Sequence, residues 1–141
     1  MPDLPVSPEI WALATVALDY GAHVAADTRE TFQPALVTET AEGEKDVTQL
    51  VLLAEEAATD PLRAALSSLA EQADVVRAAV VLDGNTHIDD VTEDAIIVLV
   101  GERRQAQAHE FAQRYRRSGL RQKFHTVGNV GYMGERPAIF S

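Results

Sequence analysis

Apolar residues recur at helical spacing in two parts of the chain, and each part follows a sequence typical of a helix start. Ser7-Pro8-Glu9 offers a capping hydroxyl, a proline at the first helical position and an acid at the positive end of the helix dipole. Asp60-Pro61 repeats the capping residue and the proline before an apolar stripe from Leu62 to Ala73. We therefore predict helices over residues 8–26 and 60–73, with the only tryptophan, Trp11, anchoring the first on a sheet.

Two other stretches, Val75–Leu82 and Ala95–Val100, are almost continuously apolar and rich in β-branched residues. Continuous rather than alternating apolar runs are typical of strands covered on both faces. The link between them is too short for a crossover helix, so we predict an antiparallel pair, joined directly or through a short strand at 86–88. Asp83-Gly84 is predicted as the turn.

Four further segments complete the predicted sheet. Residues 32–40 and 46–53 read as a hairpin around a turn at 41–44, although the second could instead open a helix. Residues 105–117 fit a helix face and also the alternation of a strand. A strand is favoured, since it continues the meander into the clear strand at 122–127. Gly128, Gly131 and Gly134 lack the ending of a phosphate-binding loop and are predicted as turn or bulge glycines.

The expected fold is therefore a single α+β domain over residues 1–141, with two main helices packed on a predominantly antiparallel sheet. A chain of 141 residues with 46% hydrophobic content is ordinary for one globular domain. The absence of cysteine excludes disulfides and thiolate chemistry. We expect a cytoplasmic protein, because neither a signal peptide nor an apolar run of membrane-spanning length is apparent.

Charge is divided unevenly along the chain. Residues 1–100 hold 4 Lys and Arg against 19 Asp and Glu, whereas residues 101–141 hold 8 against 3. The two parts could neutralise each other within one fold, which is the favoured interpretation, or could pair between copies in a homo-oligomer.

The acidic link between the two apolar strands is the first candidate site. Oxygen ligands with one imidazole suit a divalent cation, and the candidate ligands are Asp83, His87, Asp89 and Asp90. The pattern fails as an EF-hand loop, since Ile88 holds the glycine position. A solvated turn is the favoured alternative.

A basic segment follows the second apolar strand and is interleaved with aromatic residues, as in some RNA-binding sheets. A sequence pI near 4.7 argues against nucleic acid, so a protein partner or a solvated face is preferred. The candidate anion- or partner-binding residues are Arg103, Arg104, Arg114, Arg116, Arg117 and Arg121.

The order of several stretches in the second half resembles that of small bacterial α+β proteins without an assigned activity. The stretches are Val80–Gly84, Thr92–Ile96, Phe111–Arg116 and Val127–Asn129. The resemblance implies a strand at 111–115 and implies neither a function nor site residues.

No coherent catalytic set appears, and no cofactor is expected. The leading hypothesis is a cytoplasmic, non-enzymatic binding or assembly domain that associates with itself. The alternatives are an enzyme or sensor binding a divalent cation or small polar ligand at the acidic turn 83–94, and nucleic-acid binding through residues 103–123.

Overall fold

A computed structural model describes residues 6–27, 32–50, 60–88, 90–119 and 123–140. In these residues the chain forms two helices and six strands. They are α1 (Pro8–Asp27), β1 (Ala35–Thr40), β2 (Lys45–Gln49), α2 (Pro61–Ala70), β3 (Val75–Ile88), β4 (Val91–Glu102), β5 (Gln107–Ser118) and β6 (Lys123–Pro137).

The strands form one antiparallel sheet in the order β2-β1-β3-β4-β5-β6. The α+β fold predicted from the sequence is therefore confirmed. The segment at 105–117 is a strand, as predicted, and residues 45–49 pair with β1 rather than opening a helix. The rest of that second predicted strand, at 51–53, lies outside the described residues. None of the described helices is both long and apolar enough to cross a bilayer.

Both helices begin where the sequence predicts. The Ser7 hydroxyl accepts a hydrogen bond from the Ile10 amide at 3.2 Å, and the Asp60 carboxylate accepts one from the Arg63 amide at 2.9 Å. Each cap satisfies a backbone donor that has no partner inside its helix. The second helix ends at Ala70, slightly before the predicted end.

One helix packs on each face of the sheet, which explains the continuous apolar runs of β3 and β4. Helix α1 packs on Val81, Ile96 and Val98, and Trp11 contacts Phe111 with ring centroids 5.6 Å apart. Helix α2 packs its buried residues Ala65 and Leu69 on the opposite face. We name these the α1 face and the α2 face.

Gly21 sets how closely α1 approaches the sheet. A Cβ at this position would lie 2.5 Å from Ile96 Cγ2 and 3.1 Å from Val81 Cγ1. The helix continues past Gly21 to Asp27, so the glycine neither ends nor breaks it. Its role is to let helix and sheet come together without a side chain between them.

The hairpin of β3 and β4 is longer than the sequence indicates. Asp83 and Gly84 lie within β3 and pair with Ile96 and Ala95, and the ladder continues to Ile88 opposite Val91. The predicted turn at Asp83-Gly84 is therefore wrong, because the chain reverses only between Ile88 and Val91, where Asp90 has a φ of 64°. The longer ladder therefore includes pairs of polar residues, from Asn85 opposite Asp94 to His87 opposite Thr92, which a turn at Asp83-Gly84 would not form.

The pairing of β5 with β6 is interrupted twice, and a glycine of positive φ lies near each interruption. The register shifts between Glu110 and Phe111 and between Ala112 and Arg114. Gly134 has a φ of 112° and Gly128 a φ of 69°. At the second shift the Gln113 side chain donates to backbone carbonyls of both strands. The predicted turn or bulge role agrees with the positions of Gly128 and Gly134 beside these shifts, whereas Gly131 pairs with Ala112 as an ordinary strand residue.

A largely buried ion cluster joins β1, β3 and β4 on the α1 face. Arg77 donates from Nε to Glu39 at 2.8 Å and from Nη1 to Glu102 at 2.6 Å. Lys45 of β2 approaches the other Glu39 oxygen at 3.3 Å. Burial alone would raise the pKa of Glu39, but the hydrogen bonds and charges of Arg77 and Lys45 hold it below the ordinary value.

Candidate functional site

The sheet divides into two hairpins at one end. Strands β4 and β5 pair from Val100 opposite His109 to Ala95 opposite Arg114, and no further pair between them is formed. Beyond that point β4 continues to pair with β3, and β5 continues to pair with β6. The two hairpin ends therefore diverge and leave a gap between residues 91–94 and 115–118.

An open cleft of about 370 Å³ occupies this gap, and we name it the tip cleft. Its volume is at the lower end for small-molecule sites. One wall comes from the acidic link predicted as a site and the other from the predicted basic segment. The lining residues are Thr92, Glu93, Asp94, Tyr115, Arg116, Arg117, Ser118 and His125.

A second cleft of the same volume lies beside the start of α1 and contains none of the predicted site residues. It is lined by Val6, Ser7, Ile10, Glu102, Gln105, Gln107 and His109. The tip cleft is therefore the better candidate, because it unites both regions that the sequence singles out.

On the α1 face, a hydrogen bond from Tyr115 crosses the gap. The Tyr115 hydroxyl donates to Asp83 Oδ1 at 2.8 Å, and the Phe32 amide donates to Asp83 Oδ2 at 3.2 Å. This contact ties β5 to β3 across the intervening β4. Asp83 therefore acts as a hydrogen-bond acceptor within β3 and not as the turn residue that the sequence predicts.

Burial governs the ionisation of this pair. It raises the pKa of Asp83, against the lowering effect of the donors from Tyr115 and Phe32. Burial and the bond to Asp83 together raise the pKa of Tyr115 to about 12. The proton therefore stays on the Tyr115 hydroxyl at neutral pH, and the pair acts as a fixed latch.

Tyr115→Phe tests the latch. Removing the hydroxyl leaves the Asp83 carboxylate without its closest donor, so we expect the free energy of unfolding to fall by about 1.5–3 kcal/mol at neutral pH. The pKa of Asp83 should rise further, because burial then meets less opposition. Urea unfolding at acidic and neutral pH, together with NMR titration of the Asp83 carboxyl, measures both effects.

The sign of the pH dependence follows from the raised pKa. A folded state that holds the Asp83 proton more tightly than the unfolded state loses stability as pH rises through the folded-state pKa. This loss should be larger in Tyr115→Phe than in the wild type. Tyr132→Phe is the matched control, since the Tyr132 hydroxyl contacts the His109 ring at 2.9 Å rather than a carboxylate. An equal loss for Tyr115→Phe at both pH values would contradict the latch.

On the α2 face, Glu93 joins the two walls. Its Oε1 accepts from Arg116 Nη2 at 2.9 Å and lies 3.6 Å from Arg114 Nη1. The Glu93 side chain is only 10% exposed, and its second oxygen is buried without a hydrogen-bond partner among the described residues. Two arginines held by one carboxylate explain why the basic segment does not form an uninterrupted cationic face.

Arg117 fixes the cleft wall to helix α1. Its Nη2 donates to the Ala25 carbonyl at 2.7 Å, and its guanidinium lies over the Tyr115 ring at 5.1 Å. A cation at the carboxyl end of a helix is stabilised by the helix dipole. The wall formed by β5 is therefore attached both to the sheet and to the helix.

Several cleft groups retain hydrogen-bonding capacity. The side chains of Asp94 and His125 are exposed, and neither forms a hydrogen bond or ion pair with another described residue. The Arg116 side chain is 56% exposed and uses only Nη2 toward Glu93. The cleft thus offers a negatively charged hydrogen-bond acceptor, the Asp94 carboxylate, on one wall and positively charged donors, the Arg116 guanidinium, on the other.

Among the described residues only two of the predicted metal ligands, His87 and Asp90, approach each other. Asp83 and His87 lie four positions apart on one strand, which separates them by roughly 13 Å. The His87 ring lies 2.9 Å from the Thr92 hydroxyl and 3.9 Å from the exposed carboxylate of Asp90. Asp89 lies outside the described residues. Elsewhere in the described chain no group of three or more His, Asp or Glu side chains is placed to hold a metal ion.

The predicted basic residues are also dispersed. Arg103 donates to the carbonyls of Val75 and Gln72 and stacks on Phe140, far from the tip. Arg104 is exposed in the turn before β5, with a φ of 73°. Arg114, Arg116 and Arg117 line or support the tip cleft, while Arg121 lies outside the described residues.

Sequence reasoning missed the contacts across the gap, namely Glu93 with Arg116 and Asp83 with Tyr115. Residue types alone give no sign of them. If the β4–β5 register is extended past the last pair, Ala95 with Arg114, residues 93–94 lie opposite 115–116. Knowledge of this register would have indicated that the two regions are close together. Comparison with protein-family models, with curated proteins and with solved structures found no match to this chain.

Proposed function

We propose that this protein is a non-enzymatic binding domain that takes a small zwitterionic ligand, of the size of an amino acid or a dipeptide, in the tip cleft. The observation that carries the proposal is that the exposed carboxylate of Asp94 and the partly exposed guanidinium of Arg116 line the same cleft, on the walls that β4 and β5 form. The carboxylate suits an ammonium group, and a guanidinium suits a carboxylate through paired hydrogen bonds.

Binding rather than catalysis is favoured by the state of the polar groups. The Tyr115 hydroxyl is engaged with Asp83, and the Thr92 hydroxyl lies at hydrogen-bond distance from His87. A nucleophile needs a base that can act on it at the substrate. Asp83 and His87, the partners of these two hydroxyls, do not line the cleft. The groups left over at the cleft are suited to charge recognition.

NMR titration of the labelled protein tests the proposal with glycine and glycylglycine as zwitterions. Methylamine and acetate serve as single-charge controls. We expect amide shifts at 92–94 and 115–118 with the zwitterions and weaker shifts with either control. Asp94→Asn and Arg116→Gln should each weaken binding by about tenfold or more, as expected for a lost charged hydrogen bond of about 1.5–3 kcal/mol.

Asp19→Asn and Arg63→Gln are matched controls, since both residues are exposed on helices away from the cleft. They should leave binding unchanged. Titration with Mg²⁺, Mn²⁺, Ca²⁺ and Zn²⁺ examines the cation hypothesis in the same experiment. Amide shifts at the tip with a metal ion but not with a zwitterion would replace the proposal by that hypothesis, and the absence of any shift would refute both.

A further inference from the structure

The edge strand β2 lies at the other side of the sheet from the tip cleft and is exposed on both faces. All five of its residues are exposed, and Val47 retains 42% of its accessible surface. Its pairing with β1 is regular, with no register shift. In the described part of the chain no strand lies on its outer side. The strand therefore presents a straight row of backbone groups.

The hydrogen-bond phase of the β1–β2 ladder identifies which backbone groups face outward. The Thr40 amide donates to Glu44 and the Leu50 amide to Pro34, and both pairs share the register of the ladder. Hydrogen-bonded pairs alternate along an antiparallel ladder, so Asp46 and Thr48 turn their backbone groups toward β1. It follows that Lys45, Val47 and Gln49 turn theirs away from the sheet.

We propose that β2 pairs with β2 of a second copy of this chain, antiparallel about a two-fold axis at Val47. Val47 then exchanges both backbone hydrogen bonds with its own counterpart, and Lys45 exchanges them with Gln49 of the partner subunit. The two sheets become one continuous sheet, with both copies of α1 on the same side.

The register is selected by the number of backbone pairs and by charge. An axis at Val47 gives all three outward-facing residues of β2 a partner within β2 of the second copy, whereas an axis at Asp46 or Thr48 gives partners to only two of them. An axis at Asp46 would also set two carboxylates directly opposite each other, which is destabilising. At Val47 no like charges meet, since Lys45 faces Gln49 and Asp46 faces Thr48. The exposed Val47 side chains become neighbours on the α1 face, beside Val37.

An interface of one short strand falls in the size class of weak contacts, so the dimer should dissociate on dilution. The pairing involves no residue of the tip cleft and is independent of ligand binding there. Failure of one proposal therefore leaves the other intact.

Cysteine trapping reads out the register, because the chain has no native cysteine. In the proposed pair the Val47 Cα atoms are about 5.5 Å apart, within the ~4.4–6.8 Å that a disulfide spans. Val47→Cys should form a covalent dimer rapidly under mild oxidation. Thr48→Cys should form it much more slowly, since the two Thr48 positions are offset by about 7 Å along the strands in addition to the strand spacing.

Proline at the same position tests the backbone contribution. The Val47 amide faces outward, so Val47→Pro removes a donor from the proposed interface while leaving the β1–β2 ladder its own bonds. Val47→Thr retains the amide and the β-branched shape. By sedimentation velocity over a wide concentration range, we expect the wild type and Val47→Thr to associate and Val47→Pro to remain monomeric.

Four results would overturn the proposal. Three of them are a wild type that is monomeric throughout the concentration range, a Val47→Pro variant that associates as tightly as the wild type, and equal trapping rates for the two cysteine variants. Loss of association in Val47→Thr would also overturn it, because the contact would then depend on the side chain rather than on the ladder. Circular dichroism confirms that each variant is folded.

Discussion

Arg77→Met is expected to lower the free energy of unfolding by about 3–5 kcal/mol at neutral pH, the range for removing one partner of a buried ion pair. Glu39 is only 8% exposed and accepts from Arg77 at 2.8 Å. Methionine retains the apolar stem and removes the charge, so the loss reports the uncompensated carboxylate rather than a cavity. Chemical denaturation at neutral pH measures it, with the exposed Arg63→Met as control.

The pH dependence of this loss has a definite sign. In the wild type the pKa of Glu39 lies below 4.5, so its contribution is present above that value and lost as pH falls through the folded-state pKa. Without Arg77, only Lys45 opposes the effect of burial, which raises the pKa of Glu39. The variant should therefore approach the wild type in stability as the solution is acidified.

Adding Glu39→Gln to Arg77→Met should restore part of the lost stability, because a neutral amide needs no charged partner. A double variant that is less stable than Arg77→Met would contradict the assigned role of the carboxylate. A constant difference between Arg77→Met and the wild type from neutral to acidic pH would do the same.

Gly21→Val is expected to destabilise the fold by about 3 kcal/mol, at the upper end of the usual cost of overpacking. Even a single Cβ would lie 2.5 Å from Ile96 Cγ2, and both atoms belong to packed elements. Valine places two further methyl groups in the same contact. The change in the thermal or urea midpoint measures this effect, and Ala26→Val on the exposed side of the same helix is the control.

Combining Gly21→Val with Ile96→Ala tests whether the loss comes from crowding against Ile96, because valine is the better helix former of the two residues at position 21. Ile96→Ala alone creates a cavity and costs about 2–5 kcal/mol. In the double variant the new valine occupies that space, so the two losses should sum to much more than the measured loss. Additive losses would show that the new valine is not crowded by Ile96.

The parts of the fold that could be predicted from the sequence are those in which the local pattern, a cap or an apolar run, favours the same element as the tertiary packing. The capped starts at Ser7 and Asp60 produce helices, and the continuous apolar runs of β3 and β4 are covered by a helix on each face. The prediction failed at Asp83-Gly84, where a residue pair typical of a turn lies inside the longer ladder of β3 and β4. The buried carboxylate of Asp83 gains Tyr115 and Phe32 as donors when the strand continues.

The site could be predicted only in part, because it depends on the register between strands. The sequence marks an acidic link and a basic segment, and both contribute to the tip cleft. It does not show that pairing of β4 with β5 stops at Ala95 and Arg114, which creates the gap. Nor does it show that Glu93 neutralises two of the arginines, so the charge division is compensated partly within one chain.

The irregular strand β6 limits what this sheet can build. A sheet with two straight edges could add copies at both sides and grow into an open-ended fibre. The two register shifts of β6, with positive φ at Gly128 and Gly134, bend that edge out of line. In the proposed dimer, pairing through β2 uses up the straight edge of each copy, so assembly closes at two subunits. Straightening β6 would give that dimer a second pairing edge and allow it to grow into a fibre.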